Sequence, residues 1–208
     1  EIDLLEKNII TIEDPVEYKV DFIRQTEVNL KSGYDFTVAG RNFMRQDPDI
    51  MLIGEIRDEE TAMIAIRASI TGHLVLSTLH TNDAVTAIPR LFDLGVDSTL
   101  LSSSLLAVIS QRLVRKICPK CKLEYKLNED EIERLKFSGI DFYPEKAFRG
   151  KGCNFCSYSG YLGRTAIGEI LVINNTIRDM IHKKASIQSI SETAIKNGMK
   201  TLLMDGMS

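Results

Sequence analysis

The chain has 208 residues, of which 44% are hydrophobic and 26% charged, and its formal net charge is −3. These values exclude disordered, collagen-like and coiled-coil classes, and so mild an acidity gives no overall footprint for nucleic acid or anionic lipid. The longest apolar runs, Leu105 to Ile109 among them, have five residues, far short of the roughly 20 that cross a bilayer. No membrane span is expected, and Glu1-Ile2-Asp3 opens without the basic and apolar pattern of a secretory leader.

Up to residue 116, short apolar runs alternate with helical patterns, the rhythm of a parallel sheet with covering helices. Ile9 to Ile12 reads as a buried strand ended by Asp14-Pro15. Phe36 to Met44 reads as a helix, closed by Asp47-Pro48 because the residue before proline resists helical angles. Ile50 to Ile53 is a second strand, closed by Gly54. Asp58 caps a helix reaching about Thr71, with Gly72 as a left-handed stop. Leu74 to Leu76 is a third strand. Asp83 to Leu94, stopped by Gly95, predicts another helix, and Asp97 or Ser98 opens an apolar helix running to about Gln111. From Ile117 to about Gly160 cysteines appear, basic residues cluster and the alternation is lost; Asn128 to Glu131 has the pattern of a capping box there. Thr165 to Val172 resumes a strand. Ile177 to Lys183 and Ile187 to Asn197 predict short helices, the latter stopped by Gly198. The expected division is 1–116, 117–160 and 161–208.

Cys118, Cys121, Cys153 and Cys156 form two Cys-x-x-Cys pairs with 31 residues between them. Four thiolates complete the tetrahedron that Zn2+ prefers, so a metal site is expected. Two disulfides, or a redox pair, are the alternatives, and a chain without secretory features disfavours them.

Two predicted strands end in carboxylates. The second leads into Gly54-Glu-Ile-Arg-Asp58, bringing Glu55 to the C-terminal edge of a parallel strand, where open α/β sheets bind ligands. In phosphoryl-transfer sheets such a group holds the Mg2+ shell or the attacking water. The first leads to Glu13, Asp14 and Glu17, whose mutual repulsion calls for a cation or protons; a solvated turn at Pro15 is the bland reading. His73 and His80, two of the chain's three histidines, flank the third strand. Arg41 and Arg45 lie four apart and share a helix face. That face is either ordinary exposed surface or a pair of guanidinium forks suited to a γ-phosphate, a group often supplied across a subunit boundary.

In this order the motifs resemble a known family. Ile12-Glu-Asp-Pro-Val-Glu17, Arg45-Gln-Asp-Pro-Asp49, Gly54-Glu-Ile-Arg-Asp58, Thr71-Gly-His-Leu-Val-Leu-Ser-Thr-Leu-His-Thr81, Gln111-Arg-Leu-Val-Arg115, the two cysteine pairs and Gly160-Tyr-Leu-Gly-Arg-Thr165 follow one another. The chain is similar over nearly its whole length to the traffic ATPases that power type II secretion and type IV pilus assembly, the GspE/PilB family. The resemblance implies a RecA-like P-loop NTPase core of α/β class, an inserted tetracysteine zinc module and a C-terminal helical part. It makes Glu13 the general base or water-orienting residue of an "Asp box" supported by Glu17, and Glu55 the Walker B carboxylate. Asp14 and Glu55 then serve ATP and its Mg2+, His73 and His80 form a "His box" that reports the γ-phosphate, and Arg41 and Arg45 complete a neighbour's site. It implies a homo-hexamer on the cytoplasmic, inner face of the cell membrane, driving pilin or pseudopilin assembly through an inner-membrane platform protein.

A phosphate-binding loop needs Gly-x4-Gly-Lys-Ser/Thr. The only Gly-Lys here is Gly150-Lys151, with Glu145 at the first glycine position and Gly152 at the last. In the family that loop precedes the Asp box, so the chain is expected to be a C-terminal portion, inactive toward ATP alone. The competing reading is a zinc-binding interaction module without catalysis. Its support is the basic run Arg112, Arg115, Lys116, Lys120, Lys122 and Lys126 against Glu124. Few aromatics accompany that run, chiefly Tyr125 and Phe155, and nucleic acid is disfavoured as the partner.

Overall fold

The computed structural model describes residues 2–137 and 146–207. Glu145, the position weighed for a phosphate-binding glycine, lies outside the described residues. The elements in chain order are β1 (Ile9–Glu13), β2 (Arg24–Glu27), α1 (Phe36–Phe43), β3 (Ile50–Ile53), α2 (Glu59–Ile70), β4 (Leu74–Ser77), α3 (Ala87–Asp93) and α4 (Ser98–Ser104). Then come β5 (Ala107–Ile117), β6 (Lys122–Tyr125), α5 (Glu129–Phe137), β7 (Ala147–Gly150), β8 (Tyr161–Val172), α6 (Asn175–His182), α7 (Ile187–Lys196) and α8 (Leu202–Met207). The chain forms two compact units, Glu1–Ser110 with Gly168–Ser208, and Gln111–Ile167.

The first unit carries a four-stranded sheet in the order β2-β1-β3-β4. All neighbours are parallel, with Ile12 opposite Ile53 and Ile53 opposite Ser77. This is the α/β class that the motifs imply. Ile10, Ile12, Met51 and Ile53 are buried in one cluster with Phe43 of α1, Ala62 and Ile66 of α2, Leu101 of α4 and Ile177 and Ile181 of α6. Burying each large side chain stabilises the fold by about 1.5–3 kcal/mol. Helix starts are capped by side chains, Asp58 as expected from the sequence. Asp35 accepts the Val38 N–H and Asp58 the Thr61 N–H, each at 2.8 Å, and Asn174 accepts the Ile177 N–H at 3.0 Å.

Several elements differ from expectation: β8 begins at Tyr161 rather than Thr165, and three other differences have a local cause. The helix expected from Asp83 begins only at Ala87, because Asp83 closes a tight turn: its Oδ1 accepts the Thr86 N–H at 2.8 Å. Pro89 also lacks the N–H that would extend the helix backwards. The apolar helix expected to reach Gln111 stops at Ser104, where Leu105 turns extended (φ −73°, ψ 127°), and β5 takes over. Val108, Ile109, Val114 and Ile117 suit that strand, since their branched side chains lose freedom in a helix. Finally, β2 has no apolar pattern; Arg24-Gln-Thr-Glu27 is the edge of the sheet, where polar residues are at home.

In the second unit β6 and β7 pair antiparallel, Lys122 opposite Gly150 and Tyr125 opposite Ala147. Cations lie on aromatic rings: Lys122 stands 3.8 Å from the Phe148 ring centre, and Arg115 stands 4.0 Å from that of Tyr161. The capping box of α5 is formed. Asn128 accepts the Glu131 N–H at 2.8 Å, and the Glu131 carboxylate accepts the Asn128 N–H at 2.9 Å. Among the described residues no helix is long and apolar enough to cross a membrane.

Candidate functional site

The parallel register brings the C-terminal ends of β1, β3 and β4 side by side, so the residues just beyond them meet. The Gly54 N–H donates to the Ile12 carbonyl at 2.8 Å, extending the β1–β3 ladder past the strand ends. A Cβ on Gly54 would stand 3.1 Å from that carbonyl oxygen and 3.3 Å from the Phe36 ring. Glycine therefore lets the two strand ends that carry Glu13 and Glu55 approach. The end of β4 is tied to the same place: the Thr78 hydroxyl donates to the Gly54 carbonyl at 2.7 Å, and the Ile56 N–H donates to the Thr78 carbonyl at 3.0 Å.

Glu55 is the centre of this edge. Its side chain is 14% exposed, and one oxygen accepts a hydrogen bond from the Arg57 guanidinium. The other oxygen, Oε2, is sealed from solvent and makes no hydrogen bond among the described residues. The His80 Nε2 lies within ion-pair reach of that same oxygen at 3.4 Å, on a side chain 90% exposed. Hydrogen bonding from Arg57 holds the Glu55 carboxyl below its ordinary pKa; burial opposes the shift, and His80 adds to it. Glu55 thus stays ionised, with its sealed Oε2 faced only by the exposed His80 imidazole, a position that a bound cation also suits.

Glu13 is half-buried on the neighbouring strand, where its Oε1 accepts from the Thr11 hydroxyl at 2.5 Å and the Gln25 amide at 3.1 Å. Gln25 also donates to the Tyr18 carbonyl at 2.9 Å and accepts the Val20 N–H at 2.7 Å, which fixes the loop after Pro15 to β2. Asp14 is exposed and close enough to Arg57 to add to the rise in that guanidinium's pKa, which Glu55 causes first. Arg57 thus faces carboxylates from both strand ends. Glu17 is exposed on the loop beyond Asp14.

The remaining predicted residues lie elsewhere. His73 precedes β4, at the opposite end of that strand from His80, with its Nδ1 2.9 Å from the Ala68 carbonyl and 3.1 Å from the Thr71 hydroxyl. Arg41 pairs with Glu60 of α2, and Arg45 donates to Asn42; both arginines line a groove of about 650 Å3 with Arg67 and Glu59. Sequence reasoning assigned no role to Arg57, Thr11 or Gln25. Arg57 lies within the quoted Gly54–Asp58 motif, whereas Gln25 sits on the polar edge strand that no periodicity reveals.

In the second unit the four cysteines converge, with ligand atoms all within 4.8 Å of one another. The Sγ atoms of Cys121 and Cys153 each stand 3.8 Å from that of Cys156. Four sulfurs at about 2.3 Å from one Zn2+ in a tetrahedron are about 3.8 Å apart. The backbone N–H groups of Cys153 and Gly160 both donate to the Cys156 sulfur at 3.3 Å. Burial opposes ionisation of Cys156, yet these amides, together with the Cys153 and Cys121 thiols, outweigh it and hold the thiol down at about 6. The donor set and its spacing fit Zn2+.

The sequence profile described as "Type II/IV secretion system protein" matches residues 1–208. Over 97% of its length the chain is 49% identical to the "Type IV pilus assembly ATPase PilB" of Thermus thermophilus, of which it covers 23%. It is 49% identical to the "Type II secretion system protein E" of Pseudomonas aeruginosa, covering 92% of this chain and 38% of that one. With the "Type II secretion system ATPase E" of Vibrio cholerae the identity is 45%, over 100% of this chain and 41% of the other. The chain thus spans less than half the length of these curated relatives. Among solved structures, the pilus retraction motor PilT with bound ADP matches 96% of this chain and 51% of its own at 29% identity and TM-score 0.60. The Legionella pneumophila ATPase DotB shares the fold at 20% identity and TM-score 0.64, over 96% of this chain and 46% of its own. With a profile match from end to end and curated members sharing nearly half of its residues, the chain belongs to the type II/IV secretion system protein family.

Proposed function

We propose that this chain is the C-terminal part of a motor ATPase that couples ATP hydrolysis to pilin or pseudopilin assembly. The observation that carries the reading is Glu55 Oε2, a buried oxygen of an ionised carboxylate, faced by His80 at the C-terminal edge of a parallel sheet, next to the strand that ends in Glu13. Glu55 and Asp14 would hold Mg2+, which neutralises phosphate charge when bound. Glu13, oriented by Thr11 and Gln25, takes the position of a base or water-orienting group, and Glu17 supports the same loop. His80 sits where a change at Glu55 moves it; His73 anchors the other end of β4.

The sheet also has room to grow. β4 ends the strand order with Leu74 and Leu76 exposed at 38% and 43%, whereas strands of parallel sheets are ordinarily covered on both faces. We infer that the phosphate-binding loop and the strand leading to it come from sequence outside this chain. The working assembly is a homo-hexamer, peripheral to the inner face of the cell membrane and acting on a platform protein there. Magnesium-dependent phosphate release tests the reading: the intact protein turns ATP over, and this chain alone does not exceed background. An intact protein without turnover, or a fragment matching its rate, overturns it.

Arg41 and Arg45 are proposed to act on a neighbouring subunit's nucleotide. Their present partners are exposed surface groups, Glu60 and Asn42, and such pairs are worth about 1 kcal/mol or less, so exchanging them for phosphate costs little. Mixing Arg45→Ala with Glu55→Gln subunits of the intact protein is expected to restore turnover, because about a quarter of the sites in a random ring regain both groups. Mixed rings no more active than the separate variants would count against a role across the boundary.

A further inference from the structure

Glu169 of β8 is 4% exposed, and neither the sheet edge nor the cysteine cluster uses it. Its Oε1 accepts the Ala84 N–H at 2.8 Å, and its Oε2 accepts the Leu202 N–H at 3.1 Å. Among the described residues no cation forms an ion pair with it, so these backbone donors compensate a buried carboxylate. The two donors belong to different elements. Ala84 is buried in the loop that follows β4, four residues after His80. That loop is pinned at its start by Thr78 to Gly54 and at its end by Glu169. Leu202 is the first residue of α8.

Helix α8 has no fully buried residue. Besides the Glu169 contact, the Gly168 N–H donates to Asp205 of α8 at 2.8 Å. Helix α8 is short, and its apolar residues Leu202, Met204 and Met207 are only half-buried, so the polar contacts to β8 carry much of its attachment, and such an element opens readily. One carboxylate therefore grips this weakly held helix with one oxygen and the His80 loop with the other.

We propose that Glu169 is a positioning residue that joins helix α8 to the loop carrying His80, so that docking of α8 sets His80 beside Glu55. The inference rests on the ATPase reading above. It makes the C-terminal helix a control point: whatever lifts α8 loosens the grip on Ala84 and moves His80 away from Glu55.

The test removes one hydrogen bond from the far side. Leu202→Pro in the intact protein deletes the N–H that Glu169 accepts along with the leucine side chain, and proline is tolerated at a first helical position. The N-cap is untouched, since the Thr201 hydroxyl still accepts the Met204 N–H. Leu202→Ala, which keeps the N–H, is the control for the lost side chain. We expect Leu202→Pro and Glu169→Gln to lower kcat about tenfold with KM for ATP within about twofold, as for a misplaced catalytic group. Amide exchange at Ala84 rises about tenfold in Leu202→Pro as the grip loosens, and Leu202→Ala leaves both readouts near wild type. Unchanged kcat and unchanged Ala84 exchange in a folded Leu202→Pro protein overturn the proposal, as does an equal effect of Leu202→Ala. If Glu169→Gln does not fold, Leu202→Pro decides alone. Absence of ATP turnover in the unmodified intact protein defeats the ATPase reading instead, and the Ala84 exchange still decides whether Glu169 couples the two elements.

Discussion

Glu55→Gln in the intact protein is expected to reduce ATP turnover by about 10^2-fold or more while nucleotide binding stays within a few-fold of wild type. The amide keeps the size of the side chain and can still accept a hydrogen bond from Arg57. What it loses is the negative charge and the second acceptor oxygen, the sealed Oε2 that has no hydrogen-bond partner among the described residues. An amide NH2 placed there would point donor hydrogens at the position where a cation or an attacking water needs a lone pair. Since that contact matters most as charge develops in the transition state, the loss falls on kcat and spares ground-state affinity. Glu13→Gln is expected to act in the same direction if Glu13 is the base, with a further disturbance because Thr11 and Gln25 both donate to the oxygen being altered. Steady-state phosphate release together with an independent nucleotide titration separates the two effects. A Glu55→Gln protein with near-wild-type kcat would remove Glu55 from the chemistry.

What the sequence made legible follows from how local each signal is. Ile50 to Ile53 could be bounded to the residue because a buried parallel strand is a continuous apolar run, stopped here by the glycine that lets β1 approach. Asp58 was readable as a cap because capping needs only a side-chain oxygen three residues before a free N–H. The carboxylates at two strand ends were likewise visible, since strand direction and end follow from the run itself. Pairings that depend on distant segments were not. β2 is a polar edge that is extended because it pairs with β1, Arg24 to Glu27 opposite Ile10 to Glu13, and the step from α4 to β5 falls within an apolar stretch that either state accommodates. The same limit applies to the site. Gln25 owes its role to Glu13, which the sheet brings to it, Arg57 gains Asp14 of the neighbouring strand end beside its local partner Glu55, and Glu169 gains its meaning only when Ala84 and Leu202, far apart in sequence, meet on it.

Purified under reducing conditions, the chain is expected to carry close to one zinc, and removing that metal should unfold the second unit while leaving the sheet of the first intact. The reason is a missing core. Among the described residues of Gln111–Ile167 only Cys118, Cys156 and Gly160 are buried, so little apolar surface holds β6, β7 and α5 together. The close approach of backbone at the site needs support as well: a Cβ on Gly150 would overlap the Gly160 carbonyl, and Gly160 itself stands at φ 78°. Structural zinc supplies about 10–16 kcal/mol of apparent binding free energy, which becomes folding free energy when the unbound segment is not ordered. The first unit has an independent reserve in its cluster around Ile12, Ile53 and Phe43. With all four positions taken by thiolates, a bound zinc would have no site left for a substrate water, which suits a structural role. Disulfides are the competing state, yet the cysteines are free, and sulfurs 3.8 Å apart are far from the roughly 2.05 Å of a bond. Chelation, or Cys118→Ser, should therefore speed amide exchange across 111–167 first, with exchange in β1 and β3 nearly unchanged. A metal-free chain whose thiols are unreactive and whose second unit is equally protected would eliminate the zinc site.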